Sequence, residues 1–212
     1  MDSKEKKTFD YENNFYLTCG TSRIAKFIAH YELSKSISLL TGDIVECGVF
    51  KGASFMRLAM LRDLFSPGKM IIGFDTFDKF PRENGDGVQE FIDKSGDMSI
   101  SRHSLEFDLR QKNIVNYELI KGDINGSVPD YVSLHPELKI SLLNLDCDNY
   151  KPSLTVLEHL YPKIVRGGII MLDNYGVFKG ETRAVDEYFK GSEIIRRLPF
   201  SRSPSYIIKG VR

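Results

Sequence analysis

The sequence has no run approaching the roughly 18 consecutive apolar residues that a membrane-spanning helix needs. Its opening stretch MDSKEKKTFDYENN is polar with no apolar segment behind it, so neither a span nor a secretory leader is expected. Cysteine is scarce. Cys19, Cys47 and Cys147 are odd in number and lack metal-ligand spacing, which argues against a disulfide framework and a zinc site and favours a reducing cytoplasm. Net charge is missing too: 29 basic and 29 acidic residues cancel, which removes any broad attraction for nucleic acid or an anionic membrane. The four histidines, His30, His103, His135 and His159, show no ligand spacing. No repeat and no long linker divides the chain. What it does have is 42% hydrophobic residues, enough to build one core over residues 1–212, and a small-molecule ligand fits its charge balance best.

Residues 1–42 read as a polar tail followed by one helix, with Ile24, Phe27, Ile28 and Tyr31 at helical spacing and Thr41-Gly42 as a stop. Then a rhythm sets in. DIVEC (43–47) reads as a buried strand, GVFKG as a glycine turn, and ASFMRLAMLRDLF as a helix ending at Ser66-Pro67-Gly68. KMIIGF ends on Asp75, YELI on Lys121-Gly122-Asp123, KISLLNL on Asp146 and GGIIML on Asp173, with helical stretches such as SLTVLEHLYPKI between the later ones. Five apolar strands, each ending at a polar residue, predict an α/β fold: a doubly wound, mostly parallel sheet with ligands at the carboxyl ends of its strands. Two close runs, EIIRRLP and SYIIKG, predict a C-terminal antiparallel hairpin. The glycine-containing segment 76–116 breaks the rhythm. It reads either as a lid or as a surface excursion with a helix around SLEFDLRQ.

Four strand ends carry chemistry. In VECGVFKGAS, Glu46, Gly48 and Gly52 have the spacing E-x-G-x-x-x-G between a strand and a helix, which lets main chain approach a ligand and presents free amides. The spacing departs from the G-x-G-x-x-G dinucleotide turn. The same turn can also serve only to pack helix on strand. Asp75 can accept ribose hydroxyls or cap a turn, and Asp123 can accept from an adenine amino group or cap the next helix. In LLNLDCDNYKP, Asp146 and Asp148 end a strand; if the fourth and fifth strands are neighbours, Asp146 meets Asp173 and Asn174. Three oxygen ligands suit a hard cation such as Mg2+. Side chains two apart on an extended strand share a face, which places Asp148 beside that cation and free to take a proton. The alternative is that Asp146 and Asp173 cap loops while Asp148 is solvated.

The set ECGVFKGAS, GFDTFDKFP, KGDI, NLDCDNYKPSLTVLEHLYPKIVRGGIIMLDNYG and ETRAVDEYF resembles the macrocin O-methyltransferase group (TylF/NovP type) of class I S-adenosylmethionine-dependent methyltransferases. The resemblance covers most of the chain after about Thr41. D-x-D-x-Y-x-P with the downstream G-G-I-I-x-x-D is its specific part. It implies a Rossmann-like seven-stranded sheet and Mg2+-dependent methyl transfer from S-adenosyl-L-methionine to a hydroxyl, typically on the sugar of a glycoside, natural product or surface polysaccharide precursor. By position it places Glu46, Gly48 and Gly52, with Val49 and Ser54 beside them, at the methionine part of the cofactor. Asp75 and Thr76 fall at its ribose and Asp123 and Ile124 at its adenine. Asp146, Asp173 and Asn174 fall at the metal, and Asp148 becomes the base. Asn174 stands where the family commonly has aspartate, which keeps an oxygen ligand and removes a charge. The expected partner is a small-molecule acceptor in the cytoplasm, with a homo-oligomer allowed. Two rival readings are a metal-dependent glycosyltransferase using D-x-D, and a non-catalytic nucleoside-binding domain.

Overall fold

In a computed structural model, described over residues 3–80 and 88–211, the five apolar runs form the parallel part of a seven-stranded sheet. The strands are β1 (Asp43–Cys47), β2 (Ile71–Asp75), β3 (Tyr117–Lys121), β4 (Ile140–Leu145), β5 (Ile164–Leu172), β6 (Arg196–Arg197) and β7 (Ser205–Ile208). Their order is β3-β2-β1-β4-β5-β7-β6. The hairpin is present: β7 pairs antiparallel with both β5 and β6. β4 and β5 are neighbours, with Leu145 opposite Leu172, so the residues after each emerge side by side. The order reverses between β1 and β4, the switch point at which doubly wound sheets take ligands.

The helices are α1 (Ser3–Thr18), α2 (Thr21–Ser36), α3 (Ala53–Phe65), α4 (Val88–Ser95), α5 (Arg102–Gln111), α6 (Ile124–Leu134), α7 (Tyr150–Leu160) and α8 (Lys179–Phe189). One apolar layer joins β1 and β4 to α6, α7 and α8 through Val128, Val156, Leu157 and Val185. The other joins them to α2, α3 and α5 through Leu33, Phe55, Leu58 and Leu105. Both faces of the sheet are covered, which is why its strands read as unbroken apolar runs.

Two expectations change. The polar tail is helical, and Asn13 and Thr18 side chains bond back to the Phe9 and Asn14 carbonyls at 2.7 and 2.5 Å. Its exposed surface carries no apolar stripe of helical period, so the pattern that reveals other helices is missing there. The segment 76–116 is not one loop. Its later half is α5, capped by the Ser101 hydroxyl and anchored by buried Leu105 and Leu109, as the excursion reading has it. Gly85 and Gly87 lie outside the described residues.

Candidate active site

The β1–α3 turn is built around a close approach. Gly48 has φ +93°, and a Cβ placed there would lie 1.9 Å from the Asp146 carbonyl oxygen, so only glycine lets the two strand ends touch. Gly52 stands at the N-cap of α3 at φ +82°, where an added Cβ would meet Leu105 and Ile100. Glu46 is fully buried and accepts at 2.8 Å from Asn144, its neighbour across the switch point. Burial drives the Glu46 carboxyl up to about 7, with Ser54 and Asn144 pulling the other way. These hydrogen bonds offset only part of the cost of burying the charge.

Asp75 turns out to be mainly a clamp. Its Oδ2 accepts from the Val49 and Phe50 amides at 2.9 Å each, and its Oδ1 from the Phe77 amide at 2.7 Å, with the Thr76 hydroxyl at 3.4 Å. The carboxylate therefore holds the glycine turn. A ribose hydroxyl finds room only at Oδ1, by displacing the long Thr76 contact. Asp123 caps α6, accepting from the Asn125 amide at 2.9 Å. The sequence left both capping readings open.

Two cavities meet over the switch point. The larger, about 430 Å³, is bordered by Gly48, Val49, Ser54, Asp146, Asp148 and Asp173. The smaller, about 120 Å³, lies between Thr76, Asp123, Ile124 and Pro152. Gly48, Asp75, Phe80 and Asp146 border both, so together they form one trough across the strand ends.

At the larger end the acidic residues converge. Asn174 donates through Nδ2 to Asp146 Oδ1 at 2.7 Å and also to Asp148 Oδ1. Asp148 arrives there by a different route from the expected strand alternation. β4 has ended, Asn149 N bonds to Cys147 O at 2.6 Å, and Asp148 sits at φ +60° in the turn that follows. Burial and then Asp173 push Asp148 up to about 7, and the same causes carry Asp146 well above the usual carboxylate range. Among the described residues no three histidine, cysteine or acidic side chains close on one point as a metal group. The set here has an amide as its third member, and a lysine holds Asp173.

That lysine, Lys26 on α2, was not singled out in the sequence; its Nζ lies 2.6 Å from Asp173 Oδ2. Three more residues join the site without a motif to announce them. Fully buried Glu181 on α8 accepts from the Asn174 amide at 2.9 Å and so braces it. His30, one turn beyond Lys26, is buried with no partner at either ring nitrogen among the described residues, and burial pulls it down to about 3. Arg57, one turn along α3 from Ser54, borders the large cavity with a part-buried guanidinium that makes no hydrogen bond or ion pair among the described residues. Burial lowers its pKa, while the charges of Glu46 and Asp173 raise it.

Sheet order, glycine turn and switch-point trough define the class I methyltransferase fold. The chain belongs to the macrocin O-methyltransferase (TylF) family, whose model matches residues 2–199. Demethyldecarbamoylnovobiocin O-methyltransferase of Streptomyces niveus is 28% identical over 157 residues, covering 69% of this chain and 58% of that protein. Mycinamicin III 3''-O-methyltransferase of Micromonospora griseorubida is 26% identical over 189 residues, 84% of this chain and 72% of that one. The crystal structure of the calicheamicin methyltransferase CalS11 superposes with a TM-score of 0.80 at 25% identity, over 96% of this chain and 86% of that one. The chain thus spans little more than half the length of the Streptomyces niveus relative. Among the described residues no helix is long and apolar enough to cross a membrane.

Proposed function

We propose that the chain is an S-adenosylmethionine-dependent O-methyltransferase that uses Mg2+ and acts on a sugar hydroxyl in a glycoside or sugar-bearing precursor. The observation that carries this reading is the meeting of Asp146, Asp148, Asp173 and Asn174 beside a trough that begins at a glycine turn. A relative named as a 4'-O-methyltransferase of a rhamnosyl-tetracenomycin, beside the mycinamicin III 3''-O-methyltransferase, supports a glycosidic acceptor. A glycosyltransferase reading loses its footing because the D-x-D pair here stands next to that turn.

The donor set fits a hard cation. Asp146, Asp173 and Asn174 offer oxygens only, once the Asn174 amide is turned to present Oδ1. Among the described residues Asp173 Oδ1 is buried without a hydrogen bond, and Asp146 and Asp148 border the same cavity beside it. The chemistry a divalent cation supplies in such a site is Lewis acidity toward a hydroxyl. The cofactor's contribution is a methyl group on a sulfonium that carries its own leaving group. The protein's tasks are then alignment and proton removal. Asp148 receives the acceptor's proton on its carboxylate. Phe50, Phe80 and Phe178 border the trough as apolar walls against water.

Arg57, on the cavity border, suits the carboxylate end of an amino acid zwitterion through its planar guanidinium fork, whereas Glu46 is fully buried and borders neither cavity. Calorimetry tests the cofactor assignment. The native protein binds adenosylmethionine and prefers it to decarboxylated adenosylmethionine, whereas Arg57→Met weakens the first by about tenfold or more and leaves the second unchanged. Equal losses for both ligands would remove Arg57 from the methionine site, and no binding of either by the native protein would remove the cofactor. Chelation is expected to abolish turnover and added Mg2+ to restore it; full activity in excess chelator excludes the metal.

A further inference from the structure

We propose that the Lys26 ammonium and a divalent cation compete for Asp173, so that Lys26 latches α2 to the end of β5 while the cation is absent and lets go when it binds. This rests on the metal reading above and concerns a residue outside that ligand set.

The geometry favours competition over simple support. Lys26 Nζ donates to Asp173 Oδ2 at 2.6 Å, with the Lys26 side chain 23% exposed and Asp173 only 4% exposed. Lys26 borders the same cavity as Asp146, Asp148 and Asp173, so its ammonium already stands where the positive charge of a cation held by Asp173 would be needed. Those carboxylates come from adjacent strands, and two positive charges cannot share the gap without strong repulsion at short range. His30 does not offer a second positive charge on this helix face, since burial keeps it neutral. The other cations bordering the cavity are Arg57 on α3, Arg23 on α2 and Lys51 in the β1–α3 turn, whose Nζ is held by the Met98 carbonyl.

The neighbouring groups agree. Asn174 is a neutral amide set against Asp146 and Asp148, and the Lys26 ammonium stands on Asp173, so the cluster carries less negative charge than its carboxylates alone would give a cation.

Titration of the full-length protein with Mn2+, read by calorimetry and by the loss of the free-ion paramagnetic resonance signal, tests this without reference to turnover. Lys26→Gln and Lys26→Met are expected to bind Mn2+ about tenfold or more tightly than the native protein, and Lys26→Arg no more tightly. Without the ion the two uncharged variants melt at lower temperature, because Asp173 is left unpaired, and saturating Mn2+ raises their melting temperatures by more than it raises the native one. Unchanged or weaker Mn2+ affinity in both variants overturns the competition, weaker affinity meaning that Lys26 orients Asp173 for the ion. If the native protein and all variants bind no Mn2+ at millimolar concentration, the metal reading fails and this inference falls with it.

Discussion

Replacing Asp148 with asparagine is expected to lower turnover by roughly 100- to 10,000-fold, the usual cost of losing a general base, while leaving cofactor and Mg2+ affinity almost unchanged. The fold should tolerate the change well. Asp148 sits at φ +60°, a conformation that asparagine accepts readily, and an asparagine oxygen can still receive the bond that Asn174 Nδ2 donates. Only the proton-accepting carboxylate is lost. The pH profile carries the same information. Burial and Asp173 lift Asp148 to about 7, so the native rate rises as pH passes through about 7 and the carboxyl ionises, then levels off. A cation bound nearby favours the ionised form and moves that rise to lower pH. In Asp148→Asn the rise disappears. Asp146→Asn fails differently, through weaker metal binding that excess Mg2+ partly restores. Turnover measured by mass spectrometry across pH 5 to 9 decides the matter: near-native rates in Asp148→Asn would assign the proton to another group or to water.

Gly48→Ala is expected to have the largest structural effect of any single methyl group added in the trough. The new Cβ would lie 1.9 Å from the Asp146 carbonyl oxygen and 2.7 Å from its carbon, both main-chain atoms immediately after β4 that cannot rotate away. Left-handed strain adds to the overlap, and together they should cost roughly 3 kcal/mol or more. The turn that survives is displaced from the position in which Asp75 holds the Val49 and Phe50 amides, so cofactor affinity falls with stability. Gly96→Ala is the control. Its φ of +76° is also left-handed, but nothing lies within 4 Å of the added carbon, so only the strain, about 1 kcal/mol, remains. Equal melting temperatures for the two variants would show that the β1–β4 contact does not limit the turn.

The strands and their polar ends were legible because a sheet covered on both faces needs continuous apolar runs, and because the chain turns polar wherever such a run surfaces at its carboxyl end. The meeting of Asp146 with Asp173 and Asn174 was conditional on the fourth and fifth strands being neighbours, and those strands do pair. The helical contributors were not legible in the same way. Lys26, Arg57 and Glu181 sit on helices whose rotation is decided by packing, and no short motif marks a lysine that will face an aspartate 147 positions later. Local hydrogen bonding escaped for a related reason. Whether Asp75 and Asp123 reach outward or fold back onto amides depends on turn geometry, and here both fold back. Asp148 reached its expected place through a left-handed turn instead of strand alternation, a distinction invisible in the letters D-x-D.

The most direct test of methyl transfer uses adenosylmethionine labelled with a trideuterated methyl group. The protein is incubated with this cofactor, Mg2+ and a panel of glycosides and sugar-bearing precursors, and the products are read by mass spectrometry with fragmentation. The account predicts that at least one sugar gains a single trideuteromethyl group on oxygen, that adenosylhomocysteine accumulates in equal amount, and that Asp148→Asn yields little of either. Label appearing on nitrogen or carbon, or equal yields from the native protein and Asp148→Asn, would contradict it.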